Sequence, residues 1–169
     1  MPVTSNVRQF RGRILRPGSI YITLLLLAGT AYANDDRERN LRVVEIQHTE
    51  IWSKGRLELI PDIYTSDFEG HFPGGLVHGY EGIREIIINH RQAFPDWAEE
   101  VVDIITERDR VVTRFISRGT NLGTFLGKKP TGKSIEISEA SIYRMKDGKI
   151  AEQWVYPDMR SMQKQLYGK

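Results

Sequence analysis

The chain contains no cysteine. Disulfides, thiolate nucleophiles and zinc–cysteine centres are therefore excluded. Histidine is scarce, at four residues. No two are spaced as in the H-x-x-x-H pairs that grip a metal from one helix, so no metal is expected. The most apolar stretch, Ile20 to Ala28, is nine residues long, far short of the roughly 20 that cross a bilayer. There is no internal repeat, no low-complexity tract and no interdomain linker. The formal net charge of +2 is too small to suggest a nucleic-acid partner.

That small positive charge is also unevenly placed. Residues 1–33 read "MPVTSNVRQFRGRILRPGSIYITLLLLAGTAYA". Arg8, Arg11, Arg13 and Arg16 form a basic front without acids, a short apolar run follows, and Ala31 and Ala33 give a small-x-small cleavage signature. These are the three parts of a secretory signal peptide. The arginines are not adjacent, so a twin-arginine signal is not indicated. Removing this segment takes four arginines and no acid, which leaves 20 basic against 22 acidic residues, a net charge of −2. The expected mature protein, residues 34–169, is a single exported domain, periplasmic or secreted. It is large enough to bury a core without disulfides.

Two kinds of periodicity divide the domain. In "LRVVEIQHTEIW", Leu41, Val44, His48, Ile51 and Trp52 share one helical face, and Gly55 is a plausible stop. Leu57, Ile60 and Tyr64 suggest a short helix bent at Pro61, followed by an extended piece near Asp67 to His71. "PGGLVHG" reads as a loop. Ile83, Ile86, Ile87 and His90 recur at helical spacing up to Pro95. The second half alternates with period two. Two extended runs flank a turn at Glu107 to Asp109. In "SIEISEASIYRM", Ile135, Ile137, Glu139, Ser141 and Tyr143 point one way and their neighbours the other. "KDG" is a hairpin turn, "KIAEQWVY" the returning strand, and "PDMRSMQKQLYGK" a closing helix. Helices first and consecutive strands after predict an α+β fold, with helices packed on one face of a curved antiparallel sheet.

One motif competes with this reading. "GKKPTGKS", Gly127 to Ser134, fits the phosphate-loop pattern G-x-x-x-x-G-K-[ST]. Such a loop follows a strand and opens a helix, whose N-terminal amides hold the phosphates. Here it opens an alternating strand, so it is read as a surface connection.

Four blocks, taken in order, resemble the SnoaL-like polyketide cyclase family: "IWSKGRLELIPDIYTSDFEGH", "GYEGIREIIINHRQAFPDW", "DRVVTRFISRGTNLGTFLGKKPTG" and "YRMKDGKIAEQWVYPDMRSMQKQL". They span nearly all of residues 34–169. The resemblance implies the nuclear transport factor 2-like fold, a cystatin-like α+β barrel in which helices wrap a curved sheet into a cone with an open mouth. It implies a small apolar ligand, no metal or cofactor, and a homodimer through the convex side of the sheet. Cyclases of the family close a ring by intramolecular aldol condensation, moving a proton next to a carbonyl. The resemblance puts their acid/base aspartate at Asp158 in "WVYPD". Their histidines fall on Ser141 and Asn121 here.

Two roles are open to Asp158. Walled by Trp154 and Tyr156 it would carry a raised pKa and shuttle a proton; preceding "MRSMQKQL" it would cap the last helix. Glu139 either lines the cone as a second carboxylate or is a solvated edge residue. His71 is a candidate proton carrier at the mouth. Trp154, Asn121, Ser141, Tyr64 and Tyr143 are candidate ligand contacts, and for Asn121 a second role, stabilising its own turn, is equally open. His48 and His90 lie on apolar helix faces and read as packed core histidines, and His78 as exposed. Trp52 and Trp97 read as core. Arg114 and Arg118 read as outer-face residues paired with acids. The residues thus allow an enzyme doing acid/base proton transfer on a small apolar carbonyl compound, or a binding module of the same shape without chemistry.

Overall fold

The computed structural model describes residues 35–168. The proposed signal segment lies outside them. The first helix, α1, covers residues 35–46 and runs on as a π-helix, Gln47–Trp52. Acidic and basic residues fill its exposed first turns, while Val44, His48, Ile51 and Trp52 turn inward. A 3-10 turn, Leu57–Leu59, leads into the one-turn helix α2, Ile60–Ile63. Pro61 stands in its first turn, where a missing N–H costs nothing. Strand β1 is Tyr64–Phe72 and β2 Gly75–His78. Helix α3, Gly79–Ala93, buries Ile83 and Ile87; each such side chain contributes about 1.5–3 kcal/mol when fully buried. Strands β3 (Ala98–Glu107), β4 (Arg110–Thr120), β5 (Ser134–Lys146) and β6 (Lys149–Pro157) follow, and α4, Met159–Tyr167, ends the domain.

The strands form one curved, unclosed sheet in the order β2-β1-β6-β5-β4-β3. Two features differ from expectation. "GGLVH" is a strand, paired with β1 from Glu69↔His78 to Phe72↔Gly75. It is short, mostly exposed and rich in glycine, so it carries no alternation to read. The sheet is also not wholly antiparallel, because β1 joins β6 in parallel. A parallel neighbour needs a long crossover; helix α3 and strands β3 to β5 supply it.

Alternation sorts the two faces. On β5, Ile135, Ile137, Glu139, Ser141, Tyr143 and Met145 are buried, and the residues between them are not. Beneath this inner face lie two apolar clusters. One joins α1, α2, α3 and β1 through residues such as Ile51, Ile60, Phe68 and Ile87. The other joins Phe94 and Trp97 to Ile135, Ile137, Met162 and Leu166. Gly119, on the inner face of β4, makes the second cluster possible. A Cβ there would stand 2.8 Å from the Trp97 ring and 3.3 Å from Phe94.

The outer face carries the arginines. Arg114 binds Asp103 at 2.6 Å, and Arg118 reaches Glu100 at 2.8 Å and Glu136 at 2.7 Å, as their spacing suggested. "GKKPTGKS" ends in β5, not in a helix, and Lys133 reaches toward the Gly168 carbonyl at 3.4 Å. The phosphate-loop pattern therefore lacks the helix N-terminus it needs. Among the described residues no helix is long and apolar enough to cross a membrane.

Candidate active site: a chamber between two cores

A cavity of about 310 Å³ lies at the seam of the two clusters. Trp52, Phe72 and Ile86 wall it from the first. Trp97, Phe125, Ile137 and Met162 wall it from the second. Into this apolar enclosure the fold sets a few polar side chains: Gln47 from the π-helix, His90 from α3, Glu99 from β3, Glu139 from β5 and Gln153 from β6.

Glu139 is only 8 % exposed. Burial, reinforced by the negative charge of nearby Glu99, raises its pKa to about 8. At neutral pH it is a neutral carboxylic acid, able to donate a hydrogen bond. Its Oε1 has no partner. His90 sits in an aromatic box, 4.3 Å from Trp97, 5.3 Å from Phe94 and 5.7 Å from Trp52, measured between ring centres. Burial, helped by the adjacent Arg91 charge, lowers its pKa to about 4. It is a neutral imidazole at pH 7, and its Nε2 is also unpartnered. Gln153 Oε1 and Trp52 Nε1 are likewise buried without a hydrogen-bond partner, and all four atoms belong to residues that line the chamber. Leaving such a group unpaired costs about 1–3 kcal/mol. Four such atoms on residues that line one chamber are a concentration of unmet polar groups that a small rearrangement on ligand binding could satisfy.

Glu99 and His48 hold this wall from behind. His48 Nδ1 donates to Glu99 Oε2 at 2.6 Å, and Trp97 Nε1 donates to Glu99 Oε1 at 3.0 Å. The other imidazole nitrogen meets Tyr143 Oη at 2.9 Å and Thr113 Oγ1 at 3.2 Å, and Tyr143 donates to Gln47 Oε1 at 2.8 Å. His48 is thus the packed, hydrogen-bonded core histidine its apolar helix face suggested.

The other residues singled out in the sequence fall in several places. Asp158 is exposed and caps α4, its Oδ1 accepting the Ser161 N–H at 2.8 Å. Its neighbours Pro157 and Met159 line the chamber and Asp158 does not. Of its two open roles, the geometry shows the cap, because the chain turns out of β6 at this residue. Trp154 and His71 lie on the outer face, stacked on each other at 5.1 Å. Alternation along β6 explains this: Gln153 and Val155 point into the chamber, and Trp154 points away. Ser141 is on the inner face, covered by Gln153 at 3.4 Å. Tyr64 and Tyr143 are fully buried in the first cluster, not on the wall, and burial raises the pKa of each phenol. Asn121 serves its own loop. Its Nδ2 donates to the Gly123 carbonyl at 2.8 Å and its Oδ1 accepts the Thr131 N–H at 2.9 Å. This fixes the segment that brings Thr124, Phe125 and Leu126 to the chamber. Only Glu139, of the residues named as site candidates, faces the cavity. His90, Gln153, Gln47, Glu99, Trp52 and Trp97 were missed. A histidine in phase with an apolar helical stripe was the only signal, and packing explains that equally well.

This architecture is shared. The family model for the SnoaL-like polyketide cyclase matches residues 42–166. The chain belongs to the SnoaL-like polyketide cyclase family. Among solved structures, a protein described as a SnoaL-like polyketide cyclase from Jannaschia sp. CCS1 superposes with a TM-score of 0.73 at 21 % identity, over 78 % of this chain and 94 % of that one. IdmH from Streptomyces antibioticus, described as a polyketide cyclase, gives a TM-score of 0.66 at 28 % identity, over 75 % and 97 %. TsrD from Streptomyces laurentii gives 0.72 at 21 %, over 79 % and 98 %. No curated protein matches the chain. The fold is therefore the nuclear transport factor 2-like one that the four sequence blocks implied.

Proposed function

We propose that the protein is an exported, cofactor-independent enzyme that moves a proton on a small apolar carbonyl compound, with Glu139 as its acid. The observation that carries this reading is a buried glutamic acid, its pKa raised to about 8 and one oxygen unpartnered, among the residues that line a mostly apolar chamber. A carbonyl oxygen placed there accepts the Glu139 proton as negative charge builds on it, which favours enolisation. His90 Nε2, neutral and unpartnered on the same wall, takes the proton from the neighbouring carbon. Enolisation followed by carbon–carbon bond formation is the cyclase chemistry of the family. The family's aspartate position, Asp158, takes no part in it. The export half of the proposal rests on residues 1–33, and cleavage after Ala33 is expected. Intact mass of exported material should start at Asn34; retention of Met1 or Pro2 would contradict cleavage.

The chemistry is tested without knowing the natural substrate. A cyclic 1,3-diketone that binds the protein is incubated in D2O, and α-proton exchange is followed by NMR. Acceleration over buffer is expected, and Glu139→Gln should reduce it by about 10²–10⁴-fold while keeping binding. A bound probe with no acceleration would favour the second reading, a binding module. One observation supports that alternative: the family's aspartate position is spent on a helix cap, and serine and asparagine stand where its histidines fall.

A further inference from the structure

On the face of the sheet opposite the chamber, four metal-ligating side chains converge from three strands. Glu69 and His71 come from β1, His78 from β2 and Glu152 from β6. Register brings them together, since Glu69 is paired with both His78 and Glu152. His71 Nε2 lies 3.0 Å from Glu152 Oε1 and 3.3 Å from Glu69 Oε1. The second Glu69 oxygen is 3.9 Å from His78 Nδ1. The three donor atoms of Glu69, His71 and Glu152 all fall within 4.8 Å of one another.

These separations bracket those of a coordination sphere, so small side-chain movements would complete one. With Zn–N and Zn–O lengths of about 2.0–2.2 Å, donors at the corners of a tetrahedron stand about 3.3–3.6 Å apart. The surroundings are also fixed. Parallel stacking on Trp154 sets the plane of the His71 ring. Arg144 Nε binds Glu152 Oε2 at 2.9 Å, which orients that carboxylate and leaves Oε1 turned to His71. His78 is exposed, and its Nδ1 already stands on the Glu69 side of the cluster, in the place of a fourth ligand.

We propose that Glu69, His71, Glu152 and His78 form a divalent transition-metal site with a preference for Zn2+, separate from the chamber. The ion displaces the Nε2 proton of His71 and clips the edge hairpin β1–β2 to β6. Two imidazoles with two carboxylates suit zinc better than the all-oxygen sets that calcium and magnesium take. The helical-spacing rule does not reach these residues, because a hairpin and a parallel strand pairing gather them around Glu69.

The test uses tag-free, metal-free protein and ZnCl2 alone. Isothermal titration should show one ion per chain, and Zn2+ should raise the melting temperature, since a ligand of the native state stabilises it. His71→Ala should weaken binding by at least the roughly 10–100-fold that loss of an outer-shell partner alone costs, and should remove the thermal shift. Should that variant fail to fold, imidazole NMR of the unaltered protein decides instead. Zn2+ should move the His71 and His78 signals and leave those of His48 and His90 in place. Absence of saturable binding, binding unchanged in His71→Ala, or shifts confined to His48 and His90 would each overturn the proposal.

Discussion

Glu139 and His90 are perturbed in opposite directions by the same cause, and their effects on stability have opposite signs. Glu139 has its pKa raised from 4.5 to about 8. Between those values the folded state holds a proton the unfolded chain has lost, so stability falls as pH rises. His90 has its pKa lowered from 6.5 to about 4. There the unfolded chain holds the extra proton, so stability rises with pH across that window. The two slopes oppose each other from about 4.5 to 6.5, and Glu139 acts alone from about 6.5 to 8. Chemical denaturation should show stability declining over that last interval, and Glu139→Gln should flatten the decline. A flat profile in the unaltered protein would contradict the assignment. His48 offers a second test. Its loss in His48→Ala removes the partner of the buried Glu99 Oε2, leaving that carboxylate only the Trp97 bond, and should cost about 1–3 kcal/mol in urea unfolding. At this scale the sequence was only half legible. Strand phase put Glu139 on the inner face, and the same rule, had the face been known, would have turned Trp154 outward. Whether a buried polar atom finds a partner depends on contacts between residues far apart in the chain, such as His48 with Glu99, and no local pattern records them.

At the scale of elements, the chamber depends on one inner-face glycine and one loop. Gly119→Val would drive a side chain into Trp97 and Phe94, destabilising the protein by about 1–3 kcal/mol. It should also change tryptophan emission and weaken chamber binding; an unchanged spectrum and stability would show that the second cluster does not need the gap. The loop that follows β4 holds the phosphate-loop look-alike. Lys133→Ala should leave the chamber intact, and equilibrium dialysis should detect no ATP binding lost with that lysine. Micromolar ATP binding that vanishes in the variant would reverse the reading of "GKKPTGKS". Long periodic elements were legible because α3 and β5 expose one face and bury the other. Strand β2 was not, since an exposed edge strand with glycines has no buried face to betray it. The π-helix Gln47–Trp52 was also invisible, because its one-residue widening leaves the apolar spacing nearly helical.

For the whole molecule, the order of elements and the four family blocks make the fold class legible in the sequence. They did not reveal the parallel β1–β6 pairing, which joins strands some 80 positions apart. Nor did they place the chamber, which exists because α1, α3 and α4 rest on one sheet as two clusters with a gap between them. In that gap a carboxylic acid is kept protonated at physiological pH, in a space shaped for an apolar ligand. A 13C-carboxyl NMR titration, with Glu139→Gln to assign the signal, measures this directly. The Glu139 midpoint should lie at about 8. A midpoint at or below its ordinary value of 4.5 would contradict this, because the residue would then enter the chamber as a charge and have no proton to give.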